Sequence, residues 1–228
     1  MKNTKILVKL AFLIITLLLP VVVLLSILQI YSLDKNFYLN EYEKHNISAV
    51  TRISTEDLEK ITVKVIDYLK DNEDNLNIQV PINGKMEEVF GEREKLHMID
   101  VKVLFQNGYI IRNISLVLCG VAIVYLIAKS KKDLFRSLIS AGAVSFLFVL
   151  SLFLMIQIDF NKYFTHFHEI FFTNDLWLLN PETDVLIQML PLEFFINISV
   201  SVIGTFLAVM ISVVGLSIYG LRSKKLHV

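Results

Sequence analysis

GYIIRNISLVLCGVAIVYLIAKSKKDLFRSLISAGAVSFLFVLSLFLMIQ, residues 108–157, holds two apolar runs divided by a short basic turn. Each run is long enough to cross a hydrocarbon core, which takes roughly 20 residues of helix. The turn carries Lys129, Lys131, Lys132 and Arg136 against one acid, Asp133. Outward from this pair lie two further runs, so four spans are expected: Lys9 to Tyr31, Gly108 to Ala128, Leu134 to Gln157 and Phe194 to Tyr219. Composition agrees, with 54% hydrophobic residues among 228 and a mean hydropathy of +0.59, well above that of a soluble domain. The expected fold class is an all-α membrane protein with four transmembrane helices and a small extracytoplasmic α+β cap.

The first run follows Lys2 and Lys5 in the manner of a secretory leader, but it exceeds the usual h-region and no small-x-small cleavage site follows. It reads as a retained anchor. Charge then orients the chain. Lys2, Lys5 and Lys9, the basic turn, and Arg222, Lys224 and Lys225 collect on one side, which is the positive-inside pattern. Both termini are expected in the cytoplasm, with the long connections Ser32 to Asn107 and Ile158 to Glu193 outside. Those connections hold most of the acids, so neither nucleic acid nor anionic cytoplasmic lipid is expected as a partner. Cys119, the only cysteine, lies inside the second span and excludes an intrachain disulfide.

The first outer connection has the makings of a cap that packs against the bundle and the second connection. ISTEDLEKITVKVIDYLKDN opens on a Ser54 or Thr55 cap with Glu56 and Asp57 in the first turn, and Leu58, Ile61, Val65 and Leu69 form one apolar face. Asn83 and Gly84 in NIQVPINGKMEEVF signal a two-residue hairpin, whose Pro81 strand belongs at an edge. FGEREKLHMIDVKVLF then suits a helix running toward the second span, with His97 and Asp100 three apart on one face. In that arrangement the carboxylate can orient the imidazole and favour its cation; the plainer reading is a surface pair.

HFHEIFFTNDLWLLNPETDVLIQMLPLEFF, residues 166–195, places two histidines, an acid-rich loop and the only tryptophan between two spans. If the third span continues as helix through Asp159 to Phe172, then Phe160, Phe164, Phe167 and Phe171 form a stripe, with Tyr163 beside it. His168 falls at the edge of the stripe, whereas His166 points away with Lys162 and Glu169. Ordinary packing also explains a phenylalanine stripe. An ionisable ring beside it at a membrane surface is costly unless it has a partner or a task. Asn174, Asp175 and Trp177 in NDLW, and Pro181 and Asp184 in NPETD, taken singly, read as turn chemistry or interfacial anchoring.

No GxSxG, HExxH or Walker pattern occurs. Zinc on His97, His166, His168 and Asp175 would need an extended HFH backbone, which conflicts with the helical stripe. No metal and no cofactor is expected. Neutral imidazoles without a protein nucleophile suit acid–base catalysis of acyl transfer in which the substrate supplies the nucleophile.

EREKLHMIDVK, followed after two spans by FHEIFFTNDLWLLNPETDVLIQMLPLEFF, resembles the lipoprotein intramolecular transacylase family of bacterial membrane proteins across essentially the whole chain. The resemblance implies transfer of the sn-2 acyl chain of a diacylglyceryl-modified lipoprotein to the amine of its N-terminal cysteine, leaving the lyso-form. It also implies two catalytic histidines, which by motif are His97 and His168. Asp100, Asn174 and Asp175 would orient groups or support an oxyanion, and Phe164, Phe167, Phe171, Phe172 and Trp177 would grip acyl chains and exclude water. The expected partners are the lipoprotein and membrane lipid. Two other readings remain: a non-catalytic sensor or assembly protein, and a metal-dependent membrane hydrolase.

Overall fold

The computed structural model describes residues 2–82 and 84–223. Its helices and strands follow the chain as α1 (Lys2–Ser32), α2 (Lys35–Lys44), α3 (Ile47–Thr51), α4 (Thr55–Leu69), β1 (Gln79–Ile82), β2 (Lys85–Glu88), α5 (Glu92–Lys129), α6 (Lys131–Phe171), α7 (Val185–Met189) and α8 (Leu192–Ser223). Four helices, α1, α5, α6 and α8, have the length and apolar character to cross a membrane. Together with the two-stranded sheet, they make this an α-helical integral membrane fold with a small α+β portion. The chain divides into two compact units.

The first unit comprises the stretches through Gln29, Gly108–Ile158 and from Val200 onward. Its core cluster is Ala11, Ile15, Ala122, Leu126 and Leu134. Outward-facing positions are apolar too: Val117, Val121 and Val124 are 65%, 65% and 68% exposed. Such a surface suits hydrocarbon and would be a liability in water. Helix approach instead uses small residues. A Cβ added to Gly142 would meet Val214 Cγ2 at 2.1 Å, and one on Gly220 would meet the Phe135 ring at 2.6 Å. Buried hydroxyls bond backward to their own helix, Ser137 to the Leu134 carbonyl and Ser145 to that of Ala141. No hydroxyl at these two positions is left unpaired in lipid.

The second unit comprises Ile30–Asn107 and Asp159–Ser199, so cap and second connection share one core. α4 is the amphipathic helix its sequence predicts. Ser54 caps it by accepting from Asp57 N–H at 3.1 Å, and Leu58, Ile61, Val65 and Leu69 are buried along with Thr62, Ile66 and Tyr68. β1 and β2 pair antiparallel with Val80 opposite Glu87 and Pro81 opposite Met86. Gly84 has the positive φ of +79° that such a turn demands, while Asn83 lies outside the described residues. A two-stranded sheet has only edges, which is where Pro81 is tolerated.

Two helices are longer than their spanning parts. At about 1.5 Å per residue, the 38 residues of α5 reach roughly 57 Å, against a core of roughly 30 Å. Its charged first part, residues 92–107, therefore belongs to the second unit and lies outside the apolar stretch. α6 differs from the uninterrupted helix expected through Asp159. That residue is extended, with φ −169° and ψ 95°. Its carboxylate accepts from Lys162 N–H at 3.0 Å and starts the helix again, so residues 160–171 form a separately capped segment.

Candidate active site

α5 begins with a capping arrangement. Glu94 reaches back to accept from Gly91 N–H at 2.6 Å, as the third residue of a capping box does. Its other oxygen accepts from Leu186 N–H, also at 2.6 Å. This ties the start of α5 to α7. Burial raises the Glu94 pKa, and the two N–H donors from Leu186 and Gly91 oppose the shift. One turn further, His97 is 7% exposed, and its Nδ1 is buried with no hydrogen-bond partner.

His168 comes from the restarted segment of α6. Its Nδ1 lies 2.8 Å from the Phe164 carbonyl. A carbonyl only accepts, so Nδ1 carries the hydrogen and Nε2 keeps its lone pair. The imidazole centroids of His97 and His168 are 6.2 Å apart. Phe172, buried, touches both rings, at 5.3 Å from His97 and 5.5 Å from His168. Phe164 meets His168 at 4.5 Å, Phe167 at 5.5 Å, and Trp177 stacks on it at 4.9 Å and 28°. Phe160 stacks on Phe164, and Phe171 packs on Phe167. Phe167 and Phe171 remain 41% and 52% exposed, a free apolar face beside the histidine pair.

The helical placement separates the two histidines of HFH as the sequence predicts. His166 is exposed and pairs its Nδ1 with Glu169 at 2.8 Å. The Tyr163 ring stands edge-on to His166 at 6.3 Å. The loop after α6 brings in Asn174, Asp175 and Trp177, and here one expectation is corrected. Asp100 lies on α5 at helical spacing from His97, yet its Oδ2 accepts from Asn174 Nδ2 at 2.8 Å. His97 gains no hydrogen bond from it. Asp100 contributes only a field that favours the His97 cation. Asp175 is taken by Arg93, whose Nη2 donates to its backbone carbonyl and lies 3.4 Å from its carboxylate.

Both site histidines resist protonation. Burial, reinforced by the neighbouring His168 charge and opposed by Asp100, pushes the His97 pKa down to about 4. Burial also lowers His168, against the support of the Phe164 carbonyl. At neutral pH two uncharged imidazoles therefore stand side by side among aromatic rings. No group of three or more His, Cys, Asp or Glu side chains converges to hold a metal among the described residues.

Several participants lay outside the sequence reading. Arg93 and Glu94 sit within the quoted EREKLHMIDVK, but nothing local says where their side chains go. Phe195 closes on Phe164 at 4.7 Å, and helical periodicity across the loop cannot relate the two. A second polar cluster in the same unit was also unread. There Glu41 accepts from Asn197 Nδ2 at 2.5 Å, with His45 Nε2 at 3.2 Å.

The model of the family described as lipoprotein intramolecular transacylase Lit matches residues 13–195. No curated protein matches the chain. Among solved structures, the chain is similar to the membrane integral lipoprotein intramolecular transacylase Lit from Bacillus cereus. The TM-score is 0.84 at 22% identity, covering 96% of this chain and 98% of that one. Two variants of the same protein, each with a histidine replaced, are also similar. The arginine variant gives a TM-score of 0.82 at 21% identity, covering 100% of this chain and 97% of that one. The alanine variant gives 0.80 at 22%, covering 99% and 98%. At such identities the likeness speaks for a shared fold. The family itself rests on the match over residues 13–195: the chain belongs to the lipoprotein intramolecular transacylases, a family of acyltransferases.

Proposed function

We propose that this protein moves the sn-2 acyl chain of a diacylglyceryl-modified lipoprotein onto the amine of the lipoprotein's N-terminal cysteine, with His97 and His168 as the catalytic pair. The observation that carries the reading is the pair itself: two neutral imidazoles 6.2 Å apart, enclosed by aromatic rings, with no protein nucleophile needed. The substrate's α-ammonium, with an ordinary pKa of roughly 7.7–8.0, must lose a proton before it attacks. That first proton goes to solvent; His168, with a free Nε2 lone pair and a carbonyl on Nδ1, is suited to accept the second proton, which the nitrogen sheds as it attacks. The amine nitrogen then bonds to the ester carbonyl carbon and a tetrahedral oxyanion forms. His97, held neutral by burial, donates an N–H to the oxyanion. Collapse breaks the bond to the glyceryl oxygen, which takes the proton from His168. The products are an amide and a free sn-2 hydroxyl, with the ammonium's first proton released to solvent, so atoms and charge balance without a nucleotide.

Because ester and amine belong to one molecule, positioning supplies much of the rate. Well-oriented intramolecular reactions gain up to about 7–11 kcal/mol in this way. The exposed faces of Phe167 and Phe171 supply an acyl-chain rest, and Phe164, Phe172 and Trp177 keep competing water from the imidazoles. The positive-inside distribution of lysine and arginine supports a reading with both termini in the cytoplasm and this site on the outer face of the bacterial cell membrane.

The test is mass spectrometry of the N-terminal lipopeptide from a diacylglyceryl lipoprotein co-expressed with the protein. The expected product carries one acyl chain on glycerol and one on the amine. It should be present with wild type and absent with His97→Ala and with His168→Ala at matched membrane levels. Persistence of the free-amine diacylglyceryl form beside correctly inserted wild type would reject the reading.

A further inference from the structure

Trp177 is held in place from several directions. Its indole Nε1–H donates to the Asn174 carbonyl at 3.0 Å. The Asn174 side chain is used at both ends, its Oδ1 accepting from Leu176 N–H at 3.1 Å and its Nδ2 donating to Asp100 at 2.8 Å. Arg93 fixes the next residue through the Asp175 carbonyl and carboxylate. Arg93 and Asp100 both stand on α5, the helix that carries His97. The rings around His168 are arranged unequally. Phe164 and Phe167 lie nearly perpendicular to it, at 75° and 85°, whereas Trp177 lies nearly parallel at 28°. An indole face over a cation is attractive, and tryptophan offers the strongest such face.

We infer that Arg93, Asp100, Asn174 and Asp175 are positioning residues: a latch that keeps the indole of Trp177 face-on against His168, where it stabilises the imidazolium formed during turnover. The inference deepens the proposed role of His168 as proton acceptor and rests on it. Desolvation alone would leave His168 a weak base. The indole face restores part of that basicity without admitting water, which a carboxylate in the same place would draw in. His97 faces His168 from α5, and Asp100, Arg93 and Asp175 bear on it through the latch. On its own segment Glu169 is engaged by His166.

The experiment is a histidine NMR pH titration of the full-length protein in detergent micelles, with the His168 signal assigned by its loss in His168→Gln. In Trp177→Leu and in Asn174→Ala, which breaks the link to Asp100 without changing charge, the His168 midpoint should fall by about 0.5–1 unit. Trp177→Phe should lose less than half as much. The exchanged pair Asp100→Asn with Asn174→Asp, which keeps the net charge and the hydrogen bond, should restore the wild-type midpoint in contrast to Asn174→Ala. An unchanged midpoint overturns the inference. So does a rise, the sign expected if Trp177 only shielded the ring from water, and so does failure of the exchanged pair to rescue. Transacylation measured beside it separates the two levels. If His168→Ala stays active while Trp177→Leu still lowers the midpoint, the latch stands and the catalytic assignment falls.

Discussion

Two histidine clusters lie in the same compact unit, and they are built on opposite terms. Around Glu41, which is 8% exposed, the polar groups are matched: Asn197 donates to it, His45 Nε2 stands 3.2 Å away, and Lys44 adds an ion pair at 3.5 Å. Around His97 the buried Nδ1 has no partner, and the carboxylates one turn away on either side are turned elsewhere, Asp100 to Asn174 and Glu94 to Gly91 and Leu186. A buried polar group without a partner costs about 1–3 kcal/mol. A fold accepts that where the group must stay available to something that arrives later. The matched cluster holds α2 to the start of α8, whereas the unmatched one is the site of the proposed acyl transfer. The difference teaches that the concentration of polar residues is a poor guide to function; the state of their hydrogen bonds is a better one.

The comparison breaks most sharply at the level of activity. Removing either imidazole of the unmatched pair, as His97→Ala or His168→Ala, should lower transacylation by about 10²- to 10⁴-fold, the usual weight of acid–base groups, in an N-terminal lipopeptide assay. Retained activity would place the two clusters in the same class. Glu41→Ala should do the reverse. It strands Asn197 and His45, so stability should drop by about 1–3 kcal/mol, read as a lower melting temperature in micelles. Activity per folded molecule should stay within about twofold of wild type, well short of the effect of losing an acid–base group.

pH sharpens the same contrast. His97 titrates at about 4 when folded instead of 6.5, and His168 is shifted in the same direction. The unfolded chain therefore binds protons at these sites before the folded chain does, so stability should fall as pH drops from about 6.5 toward 4. His97→Phe should flatten that decline in thermal melts across the same window. A wild-type melting temperature independent of pH there would mean that the pair is better solvated than its burial suggests. The smallest effect belongs to His166, exposed and paired with Glu169. His166→Ala should leave activity within about twofold, because an exposed pair of this kind contributes little. A loss comparable with that of His168→Ala would reverse the helical placement.

Much of this was legible wherever a local period decides the outcome. The spans follow from apolar length, and α4 follows from its cap and four-residue spacing. The separation of His168 from His166 follows from 100° per residue. What stayed hidden are bonds between residues remote in sequence: Asp100 with Asn174 at a separation of 74, Glu94 with Leu186 at 92, Glu41 with Asn197 at 156. Asp100 is instructive. Its spacing from His97 is right for a partner, but a carboxylate chooses among all donors within reach, and the loop delivered an amide. The break at Asp159 was hidden for a related reason. An aspartate among apolar and aromatic residues reads equally as an interfacial residue of a continuous helix and as the cap of a new one.

The segment that bears His168 ends at Phe171, so the histidine rides its last turn. Backbone carbonyls there point past the end of the helix without intrahelical donors and carry the negative end of the helix dipole. The ring thus has a counter-charge made of peptide groups. Unlike a carboxylate, such a counter-charge takes up no proton as the pH falls and exchanges no partner with passing cations. The support it gives to a protonated His168 is therefore constant over the range in which an N-terminal amine changes its own charge.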